Sequence, residues 1–203
     1  MRGYYFITDG ALSLGGIEHD AAEAVRAGVG CLQYRSKDAS TRTMLEQAGR
    51  LKAICSGTGT RLIINDRLDI ALAVGADGVH LGQDDMPYAV ARGMLGPGRI
   101  IGITVHTLAE AVAAERLGAD YLGVSPIFAT ATKADAGRPC GLAGLRSIRR
   151  ECRIPLVAIG GIDLSSVRAV VDAGADMISA ISAVVTRPDV AATIGKFHKE
   201  FEP

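Results

Sequence analysis

One recurring pattern restricts what this chain can fold into. A segment with helical spacing ends in glycine, one or two small or acidic residues follow, and a short apolar run begins. It occurs as "RAGVGCLQY", "AVGADGVHL", "RLGADYLGV" and "DAGADMISA", with the glycines at Gly28, Gly75, Gly118 and Gly174. Glycine just past a helix supplies a left-handed cap, so the run after it starts a strand. Further apolar runs of strand length, "YYFIT", "RLIIN", "RIIGIT" and "IPLVAI", lie between these, each followed by helical spacing. Eight strands are therefore expected: Tyr4 to Thr8, Cys31 to Tyr34, Leu62 to Asn65, Gly78 to Leu81, Ile100 to Thr104, Tyr121 to Val124, Leu156 to Ile159 and Met177 to Ser182.

These runs are almost continuously apolar, as in strands covered on both faces. Strictly alternating strands and helices make parallel βαβ units, and eight of them predict an α/β fold, a single-domain (β/α)8 TIM barrel, with a doubly wound open sheet as the competitor. No composition shift or Pro/Ser-rich linker divides the 203 residues, so one domain spanning residues 1–203 is expected. The best-marked helix is "TLAEAVAAERLG", with Thr107 as N-cap and Glu110 three residues on as a capping box.

Lysine plus arginine equals aspartate plus glutamate, 22 each, so no net field draws the chain to nucleic acid or to an anionic membrane, and any anion binding must be local. The chain enters "GYYFIT" without a basic leader, and no apolar run reaches the roughly 20 residues a spanning helix needs, which leads to the expectation of a cytoplasmic protein. Cys31, Cys55, Cys140 and Cys152 show neither a C-x-x-C pair nor metal-ligand spacing with the histidines, and read as reduced thiols.

In parallel barrels the chemistry sits at the carboxyl ends of the strands. Polar residues gather there repeatedly: "QYRSK" after the second strand, "NDR" after the third, "HLGQDD" after the fourth, "TVH" after the fifth, "SPIFATATK" after the sixth, "GG" after the seventh and "AISA" at the eighth. Each alone is an ordinary solvated loop; their convergence on one rim is the signal.

Gln33, Arg35 and Lys37 alternate, which puts an amide and two cations on one side of an extended segment. An arginine fork with a lysine point charge suits a diphosphate better than a single carboxylate. Asp66 beside Asn65 and Asp85 beside Asp84 would repel that diphosphate unless a cation lay between, and Mg²⁺ held by one or two carboxylates plus phosphate oxygens is the usual solution. Asp66 also reads as a helix N-cap on "RLDIALAVG". Gly160 and Gly161, with Ile181 and Ser182, fall where barrels build a monophosphate site from backbone N–H groups. His80 and His106 are packed or hydrogen-bonding groups as readily as catalysts.

With these clusters in place, the sequence resembles the family shared by thiamine phosphate synthases and thiazole tautomerases. The likeness runs from "YYFITD" to "AISAV" through "QYRSK", "LIINDR", "DGVHLGQDD", "GITVH", "GADYLGVSPIFATATK", "VAIGGI" and "AISA", in order and at similar spacing. It implies a transferase of thiamine biosynthesis. Hydroxymethylpyrimidine diphosphate would lose pyrophosphate, and the ring nitrogen of a thiazole phosphate would take the methylene carbon, giving thiamine phosphate. By that likeness Gln33, Arg35, Lys37, Asn65 and Lys133 hold the diphosphate, and Asp66 and Asp85 hold Mg²⁺. Thr130, Thr132, Gly161, Ile181 and Ser182 hold the thiazole phosphate, and Thr104 faces the pyrimidine. Lys133, Arg35 and Thr104 are the expected catalytic residues. Thr104 stands where the family usually has serine, and Ser125 where its loop usually has glycine.

The implied partners are these two small molecules, with no nucleic acid or membrane and with self-association left open. Two other readings compete. A thiazole tautomerase would use an acid or base such as His106 and need neither diphosphate nor Mg²⁺. A non-catalytic barrel binding a phosphorylated ligand would keep Gly161 and Ser182 without needing the acidic pair. The retained acidic pair and the Thr-x-Thr-Lys stretch favour the transferase.

Overall fold

The computed structural model describes residues 2–130, 132 and 137–202. Strands and helices alternate in the order β1 (Gly3–Ile7), α1 (Ile17–Arg26), β2 (Cys31–Tyr34), α2 (Thr41–Cys55), β3 (Arg61–Asn65), α3 (Leu68–Ala73), β4 (Gly78–Leu81), α4 (Tyr88–Leu95), β5 (Ile100–Val105), α5 (Leu108–Leu117), β6 (Tyr121–Val124), α6 (Gly141–Glu151), β7 (Leu156–Ile159), α7 (Val167–Asp172), β8 (Met177–Ser179), α8 (Ile181–Val185) and α9 (Val190–Lys199). All eight strands are parallel and close into a barrel in chain order. Closure runs through β1, where Tyr5 lies beside Cys31 of β2 and Gly3 beside Met177 of β8.

The apolar runs resolve into two faces. Outward residues such as Tyr4, Phe6, Leu32, Ile64 and Leu122 pack under the helices in one large core. Inward residues Tyr5, Ile7, Cys31, Tyr121, Val157 and Met177 form a separate cluster inside the barrel. Strands buried on both faces need apolar residues at both parities, which explains the continuous runs. The four expected helix-ending glycines all adopt positive φ, from +62° at Gly75 to +106° at Gly174. Among the described residues no helix is long and apolar enough to cross a membrane. Among the described residues none of the four cysteines forms a disulfide.

Three local expectations are corrected. The eighth strand ends at Ser179, so Ile181 and Ser182 lie in the first turn of α8 rather than at a strand end. The Tyr4 hydroxyl donates to the Ala180 carbonyl at 3.0 Å and accepts from the Ala180 N–H at 3.3 Å. With both backbone groups of Ala180 taken up by a side chain, the ladder stops there. Asp66 does not cap α3: the residue at the cap position is Arg67, without a side-chain cap bond. Asp66 instead sits at φ +60°, and the Arg67 N–H donates back to the Asn65 carbonyl at 2.7 Å, closing a three-residue turn around it. Thr107 does cap α5, accepting from the Glu110 N–H at 3.2 Å. The Glu110 carboxylate, however, reaches the N–H of His106, one residue before the one a capping box requires.

Candidate active site

Side-chain parity carries the barrel interior into a pocket. Two residues beyond Tyr5, Cys31, Val157 and Met177 of the interior cluster come Ile7, Gln33, Ile159 and Ser179, and the same parity brings up Asn65, His80 and Thr104. They floor a cavity of about 360 Å³ at the carboxyl ends of the strands. That volume suits a small ligand. Of the thirteen residues expected at the site, twelve line this cavity: Gln33, Arg35, Lys37, Asn65, Asp66, Asp85, Thr104, Thr130, Thr132, Gly161, Ile181 and Ser182. Lys133 lies outside the described residues.

One side of the rim carries Arg35, Lys37 and the acidic pair. Thr8 holds the start of the basic segment, its hydroxyl accepting from the Arg35 N–H at 3.0 Å. Asp85 accepts from the Gly82 N–H at 2.6 Å. Burial, then the hydrogen bond and the repulsion of Asp85, push the Asp66 carboxyl up to about 6, although Lys37 and Arg35 pull it down. Two carboxyls forced together at a turn with positive φ are costly for the free protein, and such strain gathers at functional sites. A cation between them would remove the repulsion. Among the described residues no group of three or more His, Cys, Asp or Glu converges as a metal site. Two carboxylates fit Mg²⁺, which takes its remaining ligands from water and phosphate oxygens.

The other side joins β6, β7 and α8. Past Val124 the chain turns through Ser125, whose N–H continues the ladder to the Val105 carbonyl at 3.1 Å, and then a cis Ser125–Pro126 bond. The Ile127 and Phe128 N–H groups donate to the Ile159 and Gly160 carbonyls at 2.9 and 3.0 Å, and Cys140 and Gly141 donate to the carbonyls of Pro126 and Ile127 at 3.0 and 3.1 Å. The root of "SPIFATATK" is thus pinned to the end of β7. Gly161 permits the close approach: at φ +65° its Cβ would lie 2.5 Å from the Ala129 carbonyl oxygen. Thr130, Thr132, Gly161 and the first turn of α8 therefore face one end of the cavity. His106 is held at the rim, its Nδ1–H donating to the Ser125 carbonyl at 2.5 Å.

Sequence reasoning left out several residues. Ser179 is buried, lines the cavity, and its hydroxyl has no hydrogen-bond partner among the described residues. Its signal was parity with Met177, hidden because "MISAIS" offers no break between strand and helix. Beneath the pocket, Tyr5 and Tyr121 touch through their hydroxyls at 2.7 Å, Gln33 Nε2 lies 2.9 Å from the Tyr5 hydroxyl, and His80 bridges the Tyr121 hydroxyl at 2.8 Å and the Thr104 hydroxyl at 2.7 Å.

Fold and rim together define a (β/α)8 barrel whose carboxyl-end pocket sets a basic strip and an acidic pair opposite a glycine turn and a helix start. A family model described as thiamine monophosphate synthase matches residues 4–184. The chain belongs to that family. It is 52% identical to a thiamine-phosphate synthase of Chloroflexus aurantiacus over 189 residues, 93% of this chain and 87% of that protein. It is 50% identical to one of Methanosarcina barkeri over 92% of this chain and 84% of that protein. The solved thiamine phosphate pyrophosphorylase of Pyrococcus furiosus superposes with a TM-score of 0.89 at 41% identity, covering 98% of this chain and 94% of that one. A (S)-3-O-geranylgeranylglyceryl phosphate synthase of Thermoplasma acidophilum, at TM-score 0.68 and 18% identity over 98% of this chain and 93% of that one, shares the fold alone.

Proposed function

We propose that this chain is a transferase that joins hydroxymethylpyrimidine diphosphate to a thiazole phosphate, forming thiamine phosphate and pyrophosphate. The observation that carries the reading is the two-ended pocket. Arg35, Lys37, Asn65, Asp66 and Asp85 share one rim of the same cavity that Thr130, Thr132, Gly161, Ile181 and Ser182 line at the other. That arrangement suits two phosphorylated substrates lying head to head. The family membership supports the same reaction.

In this reading Arg35 and Lys37 bind the diphosphate oxygens, with Asn65 donating beside them, and Lys133 adds a further cation. Asp66 and Asp85 would hold Mg²⁺, which when bound would supply positive charge to offset that on the pyrophosphate leaving group. The bond from the pyrimidine methylene to oxygen breaks, leaving positive charge that the electron-rich aminopyrimidine spreads. The thiazole nitrogen then forms the new carbon–nitrogen bond. Gly161 and the start of α8 orient the thiazole through its phosphate, and Thr104 meets the pyrimidine. No protein nucleophile is needed, because positioning and electrostatic stabilisation carry the step.

The test is direct. Purified protein given both substrates is expected to release pyrophosphate and form thiamine phosphate only with Mg²⁺ present. Unchanged turnover in excess chelator would remove the metal from the mechanism, and absence of product under every condition would overturn the function.

A further inference from the structure

Below the pocket floor lies a continuous line of polar side chains whose lower half the proposed reaction leaves unused. Gln33, Tyr5, Tyr121, His80 and Thr104 come from five different strands, and relative exposure is 2%, 0%, 1%, 4% and 8% in that order. Four contacts link them: Gln33 Nε2 to the Tyr5 hydroxyl at 2.9 Å, Tyr5 to Tyr121 at 2.7 Å, Tyr121 to His80 Nδ1 at 2.8 Å, and His80 Nε2 to Thr104 Oγ1 at 2.7 Å.

The direction of these bonds follows from donor chemistry. An amide N–H only donates, so the Tyr5 oxygen accepts from Gln33, and of the two groups beside it only the Tyr121 oxygen can take the Tyr5 proton; Tyr5 donating to Tyr121 is therefore the arrangement in which both phenols find an acceptor. Burial holds both phenols far above their ordinary range, so each keeps its proton to give. Tyr121, accepting from Tyr5, donates to His80 Nδ1. A neutral imidazole that accepts at Nδ1 carries its proton on Nε2, which points at the Thr104 oxygen. Thr104 thus receives a hydrogen bond from below, and its own hydroxyl proton is left for the cavity.

The barrel is shaped around this line. A Cβ on Gly102, which lies beside Tyr121 on the neighbouring strand, would come within 2.0 Å of the Tyr121 ring. One on Gly123, beside Thr104, would come within 2.8 Å of His80 Cε1. The His80 ring stacks on Tyr121 with centroids 5.5 Å apart at 24°. Glycine at these two inward positions opens the space both rings occupy.

We infer that Gln33, Tyr5 and Tyr121 are positioning residues that run hydrogen-bond donors one way through the barrel, hold His80 as its neutral Nε2–H tautomer, and present Thr104 to the substrate as a donor. The matching group is a hydrogen-bond acceptor on a flat heterocycle, such as a ring nitrogen of the pyrimidine. This selectivity rests on the proposed placement of the pyrimidine against Thr104. The direction of the chain does not.

Nitrogen-15 NMR of histidine-labelled protein, without substrate, reads the tautomer. His80 is expected to show a protonated Nε2 and an unprotonated Nδ1. A protonated Nδ1 in the wild-type protein overturns the inference, whatever the enzyme's activity. Tyr121→Phe keeps the ring and removes the hydroxyl. It is expected to lose the Nε2–H preference and to lower kcat by about 10- to 100-fold, with KM for both substrates changed by less than about threefold. Wild-type kcat in a folded Tyr121→Phe protein overturns the positioning role. Should that variant not fold, the wild-type tautomer still decides. Should no protein, wild type included, make thiamine phosphate, the proposed function fails while the tautomer reading still tests the chain.

Discussion

The crowded acidic pair makes Asp66→Asn a variant expected to gain stability while losing function. Asparagine tolerates the positive φ of this position as aspartate does, so the turn survives. The Asp66 carboxyl rises from 3.8 to about 6 in the folded protein, through burial first and Asp85 second. Between those values the unfolded chain has released the proton and the folded chain retains it. Stability therefore falls as pH rises through this window, and the penalty is fully present above about pH 6. The unscreened figure is about 3 kcal/mol, and water reaching the rim reduces it to about 1–2 kcal/mol. Asparagine removes the penalty, so Asp66→Asn should be the more stable protein at pH 7.5 by that amount, or roughly 2–8 °C in melting temperature. At pH 4.5 only about a third of the gap should remain. Thermal unfolding at the two pH values, in chelator, measures it. Added Mg²⁺ and pyrophosphate should stabilise the wild type, by about 2.7 kcal/mol at a hundred times the dissociation constant, and leave the variant nearly unmoved. Equal or lower stability of the variant at pH 7.5, or a gap that does not change with pH, would refute the reasoning.

Three further variants test the rim, one of them as a control placed away from it. Lys133→Ala should slow coupling by at least about a hundredfold in a steady-state assay, if its ammonium meets the transferring charge. Lys52→Ala should stay within about twofold, since Lys52 pairs with Asp77 at 3.0 Å, just ahead of β4 at the amino end of the barrel, and a partly exposed pair of this kind contributes little. Gly161→Ala forces a side chain against the Ala129 carbonyl at positive φ, and should raise KM for the thiazole phosphate by roughly tenfold or more, with a stability loss of about 1–2 kcal/mol.

The barrel was legible because its cues are local. An apolar run, a helical segment and a glycine at positive φ lie within about a dozen residues of one another at Gly28, Gly75, Gly118 and Gly174. Parity then brings Gln33, Asn65 and Thr104 to the floor without knowledge of any contact. Other features depend on partners distant in the chain. Tyr5 and Tyr121 stand in apolar runs and read as packing, while their hydroxyls meet across 116 positions of sequence. The end of β8 is set by the Tyr4 hydroxyl, 176 positions away, and no residue in "MISAIS" announces it. Asp66 shows the reverse case: the capping pattern was present locally, but the N–H of Asp66 donates to the His80 carbonyl at 2.9 Å and the turn follows that bond.

The mutual fit of Gly102 and Tyr121 also orders the ways in which this barrel can drift. A methyl at Gly102 would sit 2.0 Å from the Tyr121 ring, so the side chain at position 102 can enlarge only after the one at 121 has shrunk. Loss of Tyr121 in turn leaves the Tyr5 hydroxyl and His80 Nδ1 without their shared neighbour. The two positions thus act as a ratchet. A lineage that first gives up the tyrosine is free to fill the space behind it, and once the space is filled the tyrosine cannot return by a single substitution.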